Sequence, residues 1–150
     1  MRLTDNESRV RFTEAPVARL AVVAQDGSPR IVPITFAAAG PDARDVFVSA
    51  VDAKPKSTTA LARLARIARE PRVSLLADGY AADWSQLWWV RADALAEVIT
   101  VGPEWESAIA MLRLKYAQYR AEPPTGAVIR FVVGRWSGWA ASERSTSSGA

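Results

Sequence analysis

The sequence contains neither cysteine nor histidine. The absence of cysteine excludes disulfides, thiolate nucleophiles, cysteine-ligated zinc and iron–sulfur clusters. The absence of histidine excludes a Ser-His-Asp triad, an imidazole general base and a histidine-ligated metal or haem. The remaining candidate acids and bases are carboxylates, tyrosine, lysine and arginine. We predict no metal site. If the chain is an enzyme, a bound cofactor would carry the difficult step.

Long hydrophobic runs and a dense charge of one sign are also missing. No apolar run reaches the roughly 18 residues of a membrane-spanning helix, so we expect no membrane partner. The first residues, MRLTDNESRVRF, are charged where a signal peptide needs an apolar stretch, so we expect a cytoplasmic protein. The net charge is only +3, which does not indicate a nucleic-acid binder.

The length of 150 residues fits one domain with a single core. We expect this domain to span residues 1–140. Residues 141–150 are mostly serine and other small or polar residues, and they predict a disordered tail.

The first third of the chain predicts three strands. Residues 17–24 are apolar and partly β-branched, and Asp26-Gly27 then indicates a hairpin, because glycine accepts the positive φ of a tight turn. The returning strand, residues 30–37, contains Pro33. Proline cannot donate to a ladder, so this strand is expected at a sheet edge or bulge. Residues 45–51 predict a third strand.

A polar loop, residues 52–57, joins this third strand to a helix with leucines and isoleucine at three-residue spacing. Four polar residues cluster at the junction, namely Lys54, Lys56, Ser57 and Thr58. The free N–H groups and dipole of a helix N-terminus favour an anion, and two lysines add charge. A phosphate site and a capped helix with two solvent-exposed lysines are equally consistent with this spacing. The apolar helix positions are Leu61, Leu64 and Ile67.

Residues 87–101 alternate as one long, half-buried strand. One set of side chains is predicted to face a core: Trp88, Val90, Ala92, Ala94, Ala96 and Val98. The other face carries Trp89, Arg91, Asp93 and Glu97, with Leu95 as the exception. A face that combines tryptophan, arginine and acids is typical of a subunit interface or a ligand wall.

The remaining elements complete a mainly β pattern. A short helix capped by Thr4 or Asp5 precedes the first strand, another helix is predicted over residues 103–119, and residues 127–136 form the last strand. A small β-barrel with flanking helices is the economical arrangement. The sequence has no G-x-G-x-x-G and no P-loop motif, which argues against the Rossmann and Walker folds.

Three runs of the sequence resemble the pyridoxamine-phosphate-oxidase-like split barrels, the FMN-binding split-barrel superfamily. The first is APVARLAVVAQDGSPRIVPITF; the others are VDAKPKSTTALARLARIAREPRVSLLADGY and DWSQLWWVRADALAEVI. These last two resemble the branch that uses the deazaflavin coenzyme F420. The resemblance extends from Glu7 to Trp139. It implies a homodimer with cofactor sites at the subunit interface.

The resemblance also implies site residues. The strand against the cofactor ring corresponds to Val32, Pro33 and Ile34, and the neighbouring strand end to Ser49 and Ala50. The phosphate-binding segment corresponds to Lys54, Lys56, Ser57 and Thr58. The partner subunit or the ring pocket would contribute Trp88, Trp89 and Arg91. Relatives often carry histidine near the positions of Arg30 and Gly79, where this chain has none.

The implied function is hydride transfer from reduced F420 to an unsaturated small-molecule acceptor, with biliverdin-like tetrapyrroles as one class. Arg91 is a candidate for stabilising charge on the acceptor, and no other catalytic residue is predicted. Two alternatives stay open: an FMN-dependent oxidoreductase on the same fold, and a non-enzymatic carrier of F420 or a tetrapyrrole. Arg63 and Arg66 favour F420, because its anionic tail is longer than that of FMN.

Overall fold

The structure is a computed structural model that describes residues 1–51 and 58–142, without the side chains of residues 58 and 59. Its helices are α1 (Asp5–Glu14), α2 (Thr58–Arg69), α3 (Pro103–Lys115) and α4 (Ala117–Ala121). Its strands are β1 (Ala18–Val23), β2 (Pro29–Ile34), β3 (Ala37–Ala38), β4 (Val46–Ala50), β5 (Arg72–Gly79), β6 (Trp88–Ile99) and β7 (Val128–Ala140). None of these helices has the length and apolar character needed to cross a bilayer.

The strands form one antiparallel sheet in the order β2-β1-β5-β6-β7-β4-β3, which curls into a half-barrel. The mainly β prediction is therefore confirmed. Strand β2 lies at one edge of this sheet, as Pro33 predicted. The β1–β2 hairpin is also confirmed, because Gly27 adopts a φ of 84° and Val23 pairs with Pro29.

Four aromatic side chains fill the centre of the core. Phe12 of α1 is fully buried, and its ring centroid lies 4.6 Å from that of Phe36 and 5.0 Å from that of Phe47. Trp136 of β7 completes the cluster at 5.5 Å from Phe12. Each such aromatic residue buries a large apolar area, so α1 is held against the sheet by one ring inserted among three others.

Some predicted boundaries are wrong. Ile67 of α2 is buried, but Leu61 is 66% exposed, because three-residue spacing drifts around a helix that repeats every 3.6 residues. The helix predicted over residues 103–119 is two helices, since Tyr116 between them has extended backbone angles. The last strand continues beyond Trp136 to Ala140.

An acidic residue ties α1 to the sheet. Asp45, just before β4, accepts hydrogen bonds on Oδ1 from Arg9 Nε at 3.0 Å and from Trp136 Nε1 at 2.9 Å. Burial alone would raise the pKa of Asp45, but the hydrogen bonds from Trp136 and Arg9 outweigh it and lower that pKa. The ionised carboxylate therefore stabilises the folded chain.

This contribution predicts a pH-dependent effect for Asp45→Asn. The folded-state pKa is depressed, so the stabilisation is present above the unfolded-state pKa and is lost as pH falls through the folded-state value. We expect the variant to lose about 1 kcal/mol of unfolding free energy at neutral pH, a modest value because the pair is partly exposed. Urea unfolding between neutral and acidic pH measures it. Asp42→Asn, an exposed acid in the same loop, is the control, and a constant difference across pH would contradict the assignment.

Candidate functional site

The structure describes only part of the predicted phosphate-binding segment. Lys54, Lys56 and Ser57 lie outside the described residues, and Thr58 is the first residue of α2. The anion site at this helix N-terminus therefore stays a prediction.

Helix α2 carries three arginines with different surroundings. Arg69 donates from Nη2 to the backbone oxygen of Val23 at 2.8 Å, which holds the helix to β1. Arg63 and Arg66 are half-buried and make no hydrogen bond or ion pair within the described part of the chain. Burial lowers the pKa of the Arg63 guanidinium. A half-buried cation without a partner is costly, so these two arginines are suited to an anionic ligand.

The predicted ring-contacting residues lie at the end of edge strand β2. Ile34 is buried, Val32 packs partly against the core, and Pro33 is exposed opposite Arg19 of β1. Among the described strands, β2 has a sheet neighbour on one side only.

The predicted residues on β4 have different environments. Ser49 is buried, and its Oγ donates to the backbone oxygen of Thr35 at 2.6 Å. Its hydroxyl thus supports the segment that follows β2. Ala50 is half-buried at the strand end, opposite Val128 of β7.

The predicted residues on β6 lie on both sides of the sheet. Trp88 lies on the core side, and its indole packs so closely over Gly79 that a Cβ there would lie 2.2 Å from Nε1. Trp89 lies on the other side, opposite Trp139 of β7. Arg91 is on the same side as Trp89, and its Nε lies 3.4 Å from Asp93 Oδ1.

One protomer does not bring all these residues together. Trp88 pairs with Ala140 at one end of the β6–β7 ladder, whereas Val98 and Ser49 flank Ile129 near the other end. Ten residues of extended strand separate Trp88 from Val98, a contour of about 33 Å. The predicted β4 and β6 residues therefore lie at opposite ends of the ladder.

A shallow groove lies on the side of the sheet that faces away from the core. Its volume is about 670 Å³. Residues from β1, β5, β6 and β7 line it, among them Val23, Arg72, Asp93, Leu95, Val132 and Arg135. Among the described residues, the predicted cofactor-binding residues do not line this groove.

Sequence reasoning missed a polar cluster around Thr35 and Phe36. Tyr116 Oη lies 3.0 Å from both the backbone nitrogen and oxygen of Phe36. Tyr119 Oη and Thr35 Oγ1 are 2.7 Å apart, and Lys115 Nζ lies 3.8 Å from the centroid of the Phe36 ring. Burial lowers the pKa of Lys115 to about 8. No local pattern marks these contacts, because they join residues about 80 positions apart in the sequence.

A family model of pyridoxamine 5'-phosphate oxidase matches residues 4–140 of the chain. A search of curated proteins finds no match.

Three solved structures show the shared fold. A conserved hypothetical protein of Mycobacterium tuberculosis is 18% identical, with a TM-score of 0.72 over 93% of this chain and 86% of its own. A FAD-binding protein of Mesorhizobium loti is 20% identical, with a TM-score of 0.68 over 92% and 95% of the two chains. The heme storage protein of Vibrio cholerae is 17% identical, with a TM-score of 0.65 over 93% and 95%.

The close packing of Trp88 on Gly79 predicts a specific effect of Gly79→Ala. The new methyl group would overlap the indole, so the ring must move, and we expect a loss of about 1–3 kcal/mol in unfolding free energy. The NMR signal of the Trp88 indole N–H, assigned with Trp88→Phe, should shift. Gly134→Ala on β7 is the matched control, because a Cβ there has no atom within 4 Å. Equal effects of both substitutions would refute this packing role.

Proposed function

This chain belongs to the pyridoxamine 5'-phosphate oxidase family, and from that premise we propose that it is an F420-dependent reductase. It binds the deazaflavin between two copies of the chain and transfers a hydride to an unsaturated small-molecule acceptor, for which a biliverdin-like tetrapyrrole is a candidate. The FAD-binding relative from Mesorhizobium loti supports a flavin-type cofactor on this fold. The choice of F420 rests on residues of this chain.

The observation that carries this choice is a pair of arginines on α2 that have no partner among the described residues. Arg63 and Arg66 follow Thr58 by five and eight residues. At about 1.5 Å per helical residue, they lie roughly 7.5 and 12 Å beyond the predicted phosphate position. FMN carries a single phosphate and has no anion to place there. The anionic tail of F420 extends past its phosphate and offers a charge-assisted partner to each guanidinium.

The outer face of the sheet supports a dimer. This face comprises the sides of β2, β1, β5, β6 and β7 that point away from the core. Helix α3 covers the neighbouring β3 and β4 with Ile109 and Leu112. On the outer face, apolar side chains stay exposed, among them Ile31 at 70% and Leu95 at 57%. Exposed apolar side chains that cluster on one sheet face often mark a contact with another element or another subunit.

A second copy of the chain is the occupant that fits this face. Four of its charged residues form two ion pairs within the chain, Arg91 with Asp93 and Arg19 with Asp78. The face can therefore be covered without leaving these charges unpaired. A two-fold axis across its middle would bring the β6 end of one protomer towards the partner's β4 end. Such an arrangement unites the predicted residues that one chain keeps apart.

The chain's own residues would bind, orient and shield the reacting groups. Reduced F420, when bound, supplies the hydride. The backbone of Val32–Ile34 would lie against one ring face, and the dimer contact would exclude water from the other. Arg91, whose side chain is 45% exposed beside Asp93, retains donors for negative charge that develops on the acceptor.

The two alternatives make different demands on the residues. An FMN enzyme would leave Arg63 and Arg66 without a purpose in cofactor binding. A haem-storing role, as in the Vibrio cholerae relative, would have no histidine for axial ligation, although a tetrapyrrole can bind without it.

Steady-state oxidation of reduced F420 with a panel of tetrapyrroles, quinones and enones tests catalysis. Binding without turnover for every acceptor would favour the carrier.

The arginine pair predicts selective loss of F420 affinity. Replacing both Arg63 and Arg66 with alanine should weaken F420 binding at least tenfold, the effect of losing about one charge-assisted hydrogen bond. FMN affinity should change little. Fluorescence titration with each cofactor measures both. Arg113→Ala, which removes an exposed arginine on α3, is the control for loss of an arginine outside the proposed site, and equal losses for F420 and FMN would argue against tail recognition.

If the outer face forms the dimer interface, a single charged substitution in it should dissociate the dimer. Leu95→Glu places a carboxylate in the middle of this face, and we expect a shift from dimer to monomer in sedimentation velocity. The monomer should still fold, because Leu95 is exposed within one chain. Leu114→Glu on α3, at a position 73% exposed, should leave the dimer intact. A wild-type monomer, or a dimer that persists with Leu95→Glu, would count against this interface.

A further inference from the structure

The connection between β2 and β3 is held by side chains from distant parts of the chain. Thr35 and Phe36 follow directly after Ile34. The backbone oxygen of Thr35 accepts from Ser49 Oγ at 2.6 Å, and its hydroxyl lies 2.7 Å from Tyr119 Oη. Phe36 is held at both backbone atoms by Tyr116. We call this set of contacts the β2–β3 clamp.

Tyr116 is the centre of the clamp. Its hydroxyl accepts from the backbone nitrogen of Phe36 at 3.0 Å and can donate to Phe36 O at 3.0 Å or Pro16 O at 2.8 Å. These contacts join the end of α1, the end of β2 and the break between α3 and α4. The extended backbone of Tyr116 interrupts the helix where its side chain makes these contacts.

Lys115 reinforces the clamp without an acidic partner. Its Nζ donates to the backbone oxygens of Ala15 at 2.7 Å and Thr13 at 3.3 Å, and it lies over the ring of Phe36. Within the described residues it forms no ion pair. A half-buried ammonium group is costly, and here backbone carbonyls and an aromatic face compensate it. These are contacts that fix the position of Phe36.

Building on the proposed function, we propose that Tyr116 and Lys115 are positioning residues that fix the end of β2 against the cofactor ring. The reason lies in the sheet. Strand β2 is an edge strand with ladder hydrogen bonds to β1 alone, and Pro33 provides no N–H. The last residues of β2 therefore depend on contacts beyond the ladder, and the clamp supplies them one residue after Ile34.

Tyr116→Phe tests the clamp because it removes the hydroxyl and keeps the ring. We expect the backbone amide of Phe36 to exchange with deuterium at least tenfold faster, and F420 binding to weaken about tenfold. Trp105→Phe is the matched control, since it removes a side-chain hydrogen bond to backbone from α3, the helix that ends just before Tyr116; this bond runs from Nε1 to Gly126 O at 2.9 Å. That variant should lose stability without losing F420 affinity. Lys115→Met should also lower the affinity for F420, as Tyr116→Phe does.

The two readouts separate the clamp from the proposed function. Failure of the wild-type chain to bind F420 or FMN contradicts the proposed function, and the positioning role falls with it. Amide exchange still shows in that case whether Tyr116 holds the segment. Normal wild-type binding with unchanged affinity in Tyr116→Phe overturns the positioning role alone. An equal loss of affinity in Trp105→Phe also overturns it, because the effect would then follow from stability.

Discussion

The antiparallel pairing of β6 with β7 is the constraint on which the rest of the structure depends. It runs from Trp88 opposite Ala140 to Ile99 opposite Val128, with one register shift near Asp93. The β5 side of the sheet attaches along one edge of this ladder and β4 along the other. A ladder this long cannot bend both of its ends into one small pocket. The proposed site uses residues from both ends, so it requires a second chain to supply the missing end, and the proposed dimer and the proposed cofactor site depend on each other.

Four cationic side chains differ in whether backbone carbonyls satisfy them, and this difference separates structural roles from ligand-binding roles. Arg69 and Lys115 are satisfied by backbone carbonyls, and each holds one element against another. Arg63 and Arg66 lie on the same helix as Arg69 and have no such partner within the described residues. Partial desolvation of a guanidinium is unfavourable unless a partner restores the lost interactions. The contrast along one helix therefore favours an anionic ligand beside the first two arginines.

Local rules predict this fold well where one principle controls a residue. Pro33 indicated an edge strand, Asp26-Gly27 a hairpin, and the alternation from Trp88 to Val98 the buried face of β6. Prediction failed where tertiary contacts decide. The exposure of Leu61 depends on which side of α2 meets the sheet, and the helix break at Tyr116 coincides with hydrogen bonds to residues about 80 positions away. The same reason hides the clamp from sequence analysis.

The edge position of β2 links protection of the sheet to ligand binding. An exposed edge normally invites another strand, and Pro33 opposes this because it offers no N–H for a ladder. A planar ring makes no such demand, since it needs a flat, well-positioned backbone and little hydrogen bonding. As a result, the end of β2 has ladder hydrogen bonds on one side only. Contacts from Tyr116 and Ser49 to the residues after Ile34 compensate for the missing side. Pro33 thus prevents another strand from pairing with β2, and Tyr116, at the break between α3 and α4, holds the segment after β2 in place. Both features are consistent with a surface that binds a planar cofactor.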